Sequence, residues 1–105
     1  MRNSHLTVEK IPILIKLERR SKEVEQLHLK LDSYRCTPKT QGLFNQKENL
    51  KSDLNQLVET THDLMLTLKN LDIASSNYND DIERKFEEFN EIHQEVNAYV
   101  DVVRN

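Results

Sequence analysis

Apolar residues recur at alternating steps of three and four along residues 43–103, a stretch without glycine or proline. This spacing is a heptad repeat, typical of helices that bury one stripe against other helices. Fourteen of the 18 seam positions are apolar, the exceptions being Lys47, Thr61, Ser75 and Lys85. We therefore predict an all-α fold built around a coiled-coil seam. The seam positions are Leu43, Lys47, Leu50, Leu54, Leu57, Thr61, Leu64, Leu68, Leu71, Ser75, Tyr78, Ile82, Lys85, Phe89, Ile92, Val96, Tyr99 and Val103.

A shorter apolar stripe precedes this seam and predicts a first helix over residues 11–35. Pro12 is best tolerated in the first turn of a helix, so we place the start of this helix near residues 8–12. Residues 1–10 show no clear period and are predicted to be a lead-in. The stripe comprises Ile13, Leu17, Val24, Leu27, Leu31 and Tyr34, with Arg20 as its one charged position.

Residues 36–42 form the clearest break in the pattern. Pro38 removes a backbone donor and disfavours helix at Thr37, and Gly42 is the only glycine of the chain. A connection this short places the flanking helices side by side and antiparallel. The sequence thus predicts a helical hairpin, with helix two beginning at residue 43.

The remaining segment allows two architectures. The heptad phase continues without interruption to residue 104, which favours one long helix over 43–104. Residues 74–79 are instead rich in Ser and Asn, and Asn79 followed by acidic residues would make a good helix N-terminus. In that case helix two covers 43–73, helix three covers 79–104, and the chain closes into a three-helix bundle.

The choice between these architectures decides which apolar residues need a partner chain. The first helix is too short to cover a continuous helix of about 90 Å, so the C-terminal seam would then require another subunit. Around Pro12 the first helix is apolar nearly all the way round, which demands more than one neighbouring helix. The candidate partner-interface residues are therefore Ile11, Leu14, Ile15, Ile82, Phe89, Ile92, Val96, Tyr99 and Val103.

Composition and charge favour the same class of protein. The chain has 105 residues, which fits one domain spanning 1–105, and its net charge is −3. Residues 1–42 carry nine Lys or Arg against five Asp or Glu, whereas residues 43–105 carry six against thirteen. The first helix is therefore electrostatically suited to the C-terminal segment. If the chain folds back, the basic first helix runs parallel to the acidic third.

No residue pattern supports catalysis, so we predict that the protein is not an enzyme. No two of the four histidines lie at helical ligand spacing, and the single cysteine, Cys36, has no histidine nearby. Only one glycine is present, which excludes a glycine-rich phosphate loop. We expect no catalytic residue, no metal site, no cofactor, no nucleic-acid binding and no integral membrane segment.

The order of the predicted elements resembles a spectrin-like repeat. The segment DIERKFEEFNEIHQEV, residues 81–96, looks like the third helix of such a repeat, although the tryptophans typical of that family are missing. The layout is also similar to small helical subunits of lysosome-related trafficking complexes and of kinetochore or microtubule assemblies. These resemblances imply scaffolding through helix packing.

From these features we predict a non-enzymatic coiled-coil scaffold or adaptor subunit of an intracellular hetero-oligomeric complex. The complex would be of the cytoskeletal or kinetochore type, or of the vesicle and lysosome trafficking type. Its partners would be other coiled-coil subunits, with a hetero-oligomer favoured over a homo-oligomer. The alternative is a self-contained three-helix binding module, such as a chaperone or cargo adaptor. The expected location is the cytoplasm, with the nucleus as the alternative.

Overall fold

The computed structural model describes residues 2–33, 37–70 and 78–104, with side chains from residue 11 onward. Within these residues the chain forms three α-helices and no strand: α1 (Arg2–Leu31), α2 (Gln41–Asn70) and α3 (Asn79–Arg104). They pack side by side into a rod of 58 × 17 × 17 Å. The all-α prediction is confirmed, and the three-helix arrangement is the one that the chain adopts.

The segment after residue 43 is folded back on itself rather than extended. The Lys85 Nζ atom donates a hydrogen bond of 2.7 Å to the Thr60 hydroxyl. In a continuous helix these two residues would be about 37 Å apart along the axis. The predicted turn at 74–79 falls largely on residues 71–77, which lie outside the described residues. Asp80 and Asp81 occupy the first turn of α3, where carboxylates stabilise the positive end of the helix dipole.

Helix α1 runs parallel to α3, and α2 runs antiparallel to both. Arg20 donates to the side chain of Asn90 at 3.3 Å, and ten residues further along α1, Lys30 donates to Asn97 at 3.5 Å. The residue numbers of both helices therefore rise in the same direction. This arrangement places the basic helix beside the acidic one, as the sequence predicts for a chain that folds back.

The predicted seam forms the core. Sixteen apolar side chains are buried in one cluster shared by the three helices. The cluster comprises Leu17, Val24, Leu27, Leu31, Leu50, Leu54, Leu57, Met65, Leu68, Ile82, Phe89, Ile92, Val96, Tyr99, Val100 and Val103. Met65 and Val100 lie beside the heptad seam and are nevertheless buried, because a bundle of three helices covers a wider stripe than a two-stranded coiled coil.

The start of α1 differs from the prediction. The helix begins at Arg2, so residues 2–10 are helical and do not form an irregular lead-in. Pro12 therefore lies in the helix interior, where it cannot donate to the carbonyl one turn before it. No other proline and no glycine occurs before Pro12, so a single missing hydrogen bond does not end the helix. At the other end α1 stops at Leu31, four residues before the predicted end. Residues 34–36 lie outside the described residues.

Helix α2 begins at Gln41, two residues before the predicted start. The Thr40 hydroxyl accepts a hydrogen bond from the Leu43 amide at 3.1 Å, and the Thr40 carbonyl accepts from the Phe44 amide at 3.0 Å. Thr40 is thus the N-cap of α2. Gly42, predicted to belong to the loop, lies in the first helical turn with a negative φ angle.

Two polar residues lie on the buried seam and are accommodated differently. The Lys85 side chain is only 12% exposed, and its ammonium group forms a 3.0 Å ion pair with Glu88 as well as the bond to Thr60. Thr61 is completely buried, and its hydroxyl has no hydrogen-bond partner among the described residues. Lys85 thus keeps its ammonium group at the edge of the bundle, whereas Thr61 holds its hydroxyl group inside the core.

Candidate docking surface

Six of the nine predicted partner-interface residues lie in the core of the same chain. They are Ile82, Phe89, Ile92, Val96, Tyr99 and Val103, and each is buried. Their predicted contact with a partner depends on a continuous helix, which would leave them uncovered. Since α3 folds back between α1 and α2, they pack on these helices instead. In this arrangement they offer no surface to another protein.

The three remaining predicted residues lie near the N-terminal end of α1. Ile11 is 48% exposed and Ile15 is 50% exposed, whereas Leu14 is half-buried and packs against the core. The sequence therefore correctly indicates that one neighbouring helix cannot cover this apolar segment. The structure adds that α2 and α3 together leave two isoleucines in solvent.

These isoleucines belong to a stripe that runs along the outward face of α1 from residue 11 to residue 29. Its members are spaced by four, three, four, three and four residues, and all six are exposed. We call them the α1 outer stripe: Ile11, Ile15, Glu18, Lys22, Glu25 and Leu29. At 100° per residue this face points away from the buried stripe of the same helix. Leu29 is 70% exposed, which is the largest value among the exposed large apolar side chains.

Sequence reasoning missed Leu29 and hence the stripe as a unit. The signal was available, because Ile11, Ile15 and Leu29 fit a second heptad phase on the same helix. The core phase of α1 has more apolar members and therefore dominates the pattern of this helix. A helix with two such stripes has one for its own bundle and one for a further neighbour.

A continuous groove lies beside the outer stripe, between α1 and α2 on the side away from α3. It consists of two adjoining hollows of 580 and 600 Å³ that share Glu25, Val58 and Glu59 as lining residues. We call it the α1/α2 groove. Its apolar lining residues are Val24, Leu29, Leu54, Val58, Met65 and Leu66, of which Leu66 is 42% exposed. Four carboxylates, Glu18, Glu25, Glu59 and Asp63, line it together with Lys22 and Lys69.

The groove between α2 and α3 is narrower and more polar. It encloses 290 Å³, and Leu57 and Ile92 are its two apolar lining residues. The other lining residues are Asp53, Gln56, Thr60, Lys85, Glu88, Glu91 and Glu95. Because Lys85 is paired with Glu88 and bonded to Thr60, the rest of this surface is a set of solvated carboxylates. It offers little apolar area to a partner helix.

The groove between α1 and α3 carries the opposite charge. Its volume is 440 Å³, and it is lined by Lys16, Arg19, Arg20, Glu23 and Phe86. Arg20 is held in place by bonds of 3.3 Å to Glu23 and to Asn90. The half-buried Phe86 ring lies 6.2 Å from that of Phe89, at an interplanar angle of 49°, and so belongs to the bundle's own packing.

The clearest electrostatic perturbation lies at the opposite end of α1 from the isoleucines. Lys51 Nζ lies 2.8 Å from Asp32 Oδ1, and this ion pair joins the end of α1 to α2. The hydrogen bond from Lys51 holds the pKa of Asp32 below its usual value and raises the pKa of Lys51. His28 Nδ1 lies 3.5 Å from the other carboxylate oxygen. The pair is partly solvated and lies outside any enclosed cavity, so its role is to fix the helix end.

The described residues contain no group of three or more His, Cys, Asp or Glu side chains that could hold a metal ion. None of the described helices has a stretch long and apolar enough to cross a bilayer. Comparisons with protein-family models, with curated proteins and with solved structures give no match to this chain. The surface with the largest exposed apolar content is therefore the best candidate for a functional site.

Proposed function

We propose that the protein is a non-enzymatic helical adaptor or scaffold that binds other coiled-coil proteins through the outward face of α1 and the α1/α2 groove. One observation carries this proposal. After the core is complete, five large apolar side chains are still exposed on these two helices: Ile11, Ile15, Leu29, Phe44 and Leu66. All of them except Phe44 lie in the α1 outer stripe or line the α1/α2 groove. Apolar residues that the chain itself leaves uncovered on one side are suited to helix packing in trans.

Of the two architectures considered for such a role, the self-contained binding module has the stronger support. The obligate-subunit hypothesis depended on a C-terminal seam that only another chain could cover. In the bundle α1 and α2 cover that seam, so folding does not require the partner. As a proposal, the protein then acts in the cytoplasm within an assembly of the cytoskeletal or kinetochore type, or of the vesicle and lysosome trafficking type.

The experiment that tests this proposal has two arms. First, the protein should unfold cooperatively at concentrations where sedimentation shows a monomer. A chain that is unfolded whenever it is monomeric would refute the self-contained module. Second, tagged wild-type protein and the Ile15→Asp variant should be purified from cells side by side, with Glu87→Lys on the solvent side of α3 as the matched surface control.

The expected result of the second arm is the loss of specific partners from Ile15→Asp and their retention by Glu87→Lys. Both variants change an exposed position, so neither should shift the unfolding transition by more than about 0.5 kcal/mol. Identical partner sets for the three proteins would refute the assignment of function to this face.

A further inference from the structure

The α1 outer stripe has the same spacing when it is followed in either direction along the helix. The steps of four, three, four, three and four form a palindrome about residue 20. When two such helices lie antiparallel, position 11 of one faces position 29 of the other, 15 faces 25, and 18 faces 22. This is the layer pattern of an antiparallel coiled coil, in which positions a and d of the two strands alternate. The stripe extends over about 27 Å of helix.

The charges of the stripe select this orientation. In the antiparallel pair Glu18 of each copy faces Lys22 of the other, which gives two opposite-charge contacts at the centre. In a parallel pair every position would face itself, so Glu18, Lys22 and Glu25 would each form a like-charge layer. Within one chain Glu18 and Lys22 lie 3.8 Å apart and are 61% and 69% exposed. Such a solvated contact is weak and can be exchanged for an intermolecular one at little cost.

The apolar members occupy the two ends of the same stripe. In the antiparallel pair Ile11 of each copy packs on Leu29 of the other, so the apolar contact is made twice. The α1/α2 groove runs alongside the stripe and presents Val58 and Leu66 to the approaching helix. The second copy's α1 can thus contact both α1 and α2, which satisfies the demand of this segment for more than one neighbour.

We propose that the occupant of the α1 outer stripe is a second copy of this chain, docked antiparallel about a two-fold axis that passes midway between Glu18 and Lys22. The inference deepens the proposed function and rests on it, because it assigns the first partner of the same surface. Each copy contributes the same residues to the interface, as an isologous dimer requires. In the dimer, four helices therefore meet in one contact region: α1 and α2 of each copy.

One layer of the interface is mismatched, and this predicts a weak dimer that can be strengthened. Ile15 of each copy faces Glu25 of the other, so a carboxylate lies beside an apolar side chain on both sides of the axis. Replacing Glu25 by leucine converts both layers to apolar contacts. The dimer dissociation constant should fall by about tenfold or more.

The charge prediction is tested by sedimentation equilibrium over a range from low micromolar to near-millimolar protein. Wild-type protein should show a concentration-dependent mass between that of a monomer and that of a dimer. Glu18→Lys and Lys22→Glu should each weaken the dimer by roughly tenfold, because two attractive contacts become repulsive. The double variant Glu18→Lys/Lys22→Glu should restore the wild-type affinity. Glu87→Lys changes the net charge by the same amount as Glu18→Lys and is its matched control.

The orientation is tested by disulfide formation in a Cys36→Ser background, which removes the only native thiol. An equimolar mixture of Glu18→Cys and Lys22→Cys chains should form mixed disulfides much faster than either chain alone. Faster self-pairing of each chain would overturn the antiparallel arrangement. A wild-type protein and a Glu25→Leu variant that both remain monomeric over the full range would overturn the dimer itself.

The results also separate this inference from the proposed function. If the chain is monomeric throughout but Ile15→Asp still loses its partners in cells, the adaptor function stands and the second-copy assignment fails. If the dimer forms as described but the partner sets from cells do not depend on Ile15, the dimer stands and the adaptor function fails.

Discussion

Replacing Thr61 by valine should stabilise the protein, although it removes a polar group from the longest heptad segment. The Thr61 side chain is fully buried, and its hydroxyl oxygen has no hydrogen-bond partner among the described residues. An unpaired hydroxyl in a core costs about 1–3 kcal/mol relative to water. Valine has nearly the same shape and places a methyl group where the hydroxyl lies. The expected gain is about 1–2 kcal/mol, or roughly 4–15 °C in Tm for a domain of this size.

The neighbouring threonine provides a matched control with the opposite expected sign. The Thr60 hydroxyl accepts a hydrogen bond from Lys85 at 2.7 Å and donates one to the Leu57 carbonyl at 3.3 Å. Thr60→Val removes the bond to an ammonium group whose side chain is only 12% exposed. We expect a loss of about 1–2 kcal/mol.

Urea unfolding followed by circular dichroism gives both free energies, with the m-value checking that the cooperativity of unfolding is unchanged. The two substitutions make the same chemical change at adjacent positions of α2, so helix propensity cancels between them. If Thr61→Val destabilises the protein, or if the two variants shift the free energy of unfolding in the same direction, the assignment of hydrogen-bond partners is wrong.

Three further substitutions test the ends of the helices. Gly42→Ala should stabilise α2 by about 0.5–1 kcal/mol, because φ is negative and an added Cβ atom would lie 4.0 Å from its nearest neighbour, Thr40 Oγ1. Thermal melts check this, and a lowered Tm would contradict the placement of Gly42 in the helix. Pro12→Ala should raise the helical ellipticity and stabilise α1 by up to about 3 kcal/mol, since it restores the missing backbone donor. An unchanged ellipticity and an unchanged free energy of unfolding would place Pro12 at the helix start. Asp32→Asn should lower stability at neutral pH and flatten the acid limb of the stability profile. The depressed Asp32 pKa contributes stability that is present above pH 3.8 and is lost as the pH falls through the folded-state pKa. The raised Lys51 pKa contributes stability that is present below pH 10.5 and is lost as the pH rises through the folded-state pKa. Urea unfolding measured across this pH range gives the two stability profiles, and parallel profiles for wild type and variant would contradict the role of the pair.

The heptad phase predicted the core because burial of a helix stripe depends only on which side chains share a face. Leu50, Leu54 and Leu57 of α2 and Phe89, Val96 and Tyr99 of α3 were all assigned to the seam and are all buried. The phase could not distinguish a continuous helix from a reversal of the chain. After a reversal of the chain, α3 still turns its apolar face to the same core, so the same side chains are buried in both architectures. The partner interface predicted at Phe89, Val96 and Tyr99 depends on a continuous helix, whereas in the bundle these side chains are buried within their own chain.

Local propensities located the helix ends less well than the stripe located the core. The sequence predicts a helix start near Pro12, but the helix continues through this residue. It also predicts that Gly42 belongs to the loop, but the Thr40 cap brings this glycine into the first turn of α2. At both positions a single unfavourable residue is outweighed by the cooperativity of the helix around it. The outer stripe of α1 was missed beyond Ile15 because its charged centre obscured the apolar residues at its ends.

The odd number of helices in the described part of the chain has a mechanical consequence. Because α1 and α3 are parallel, Arg2 and Arg104 lie toward opposite ends of a rod 58 Å long. Anything joined to the two ends is therefore held apart by a distance comparable to the length of the rod. A pulling force between these ends would load the helices in shear along their axes, so that many side-chain contacts resist together. A hairpin of two helices would instead bring its ends side by side and would open one turn at a time.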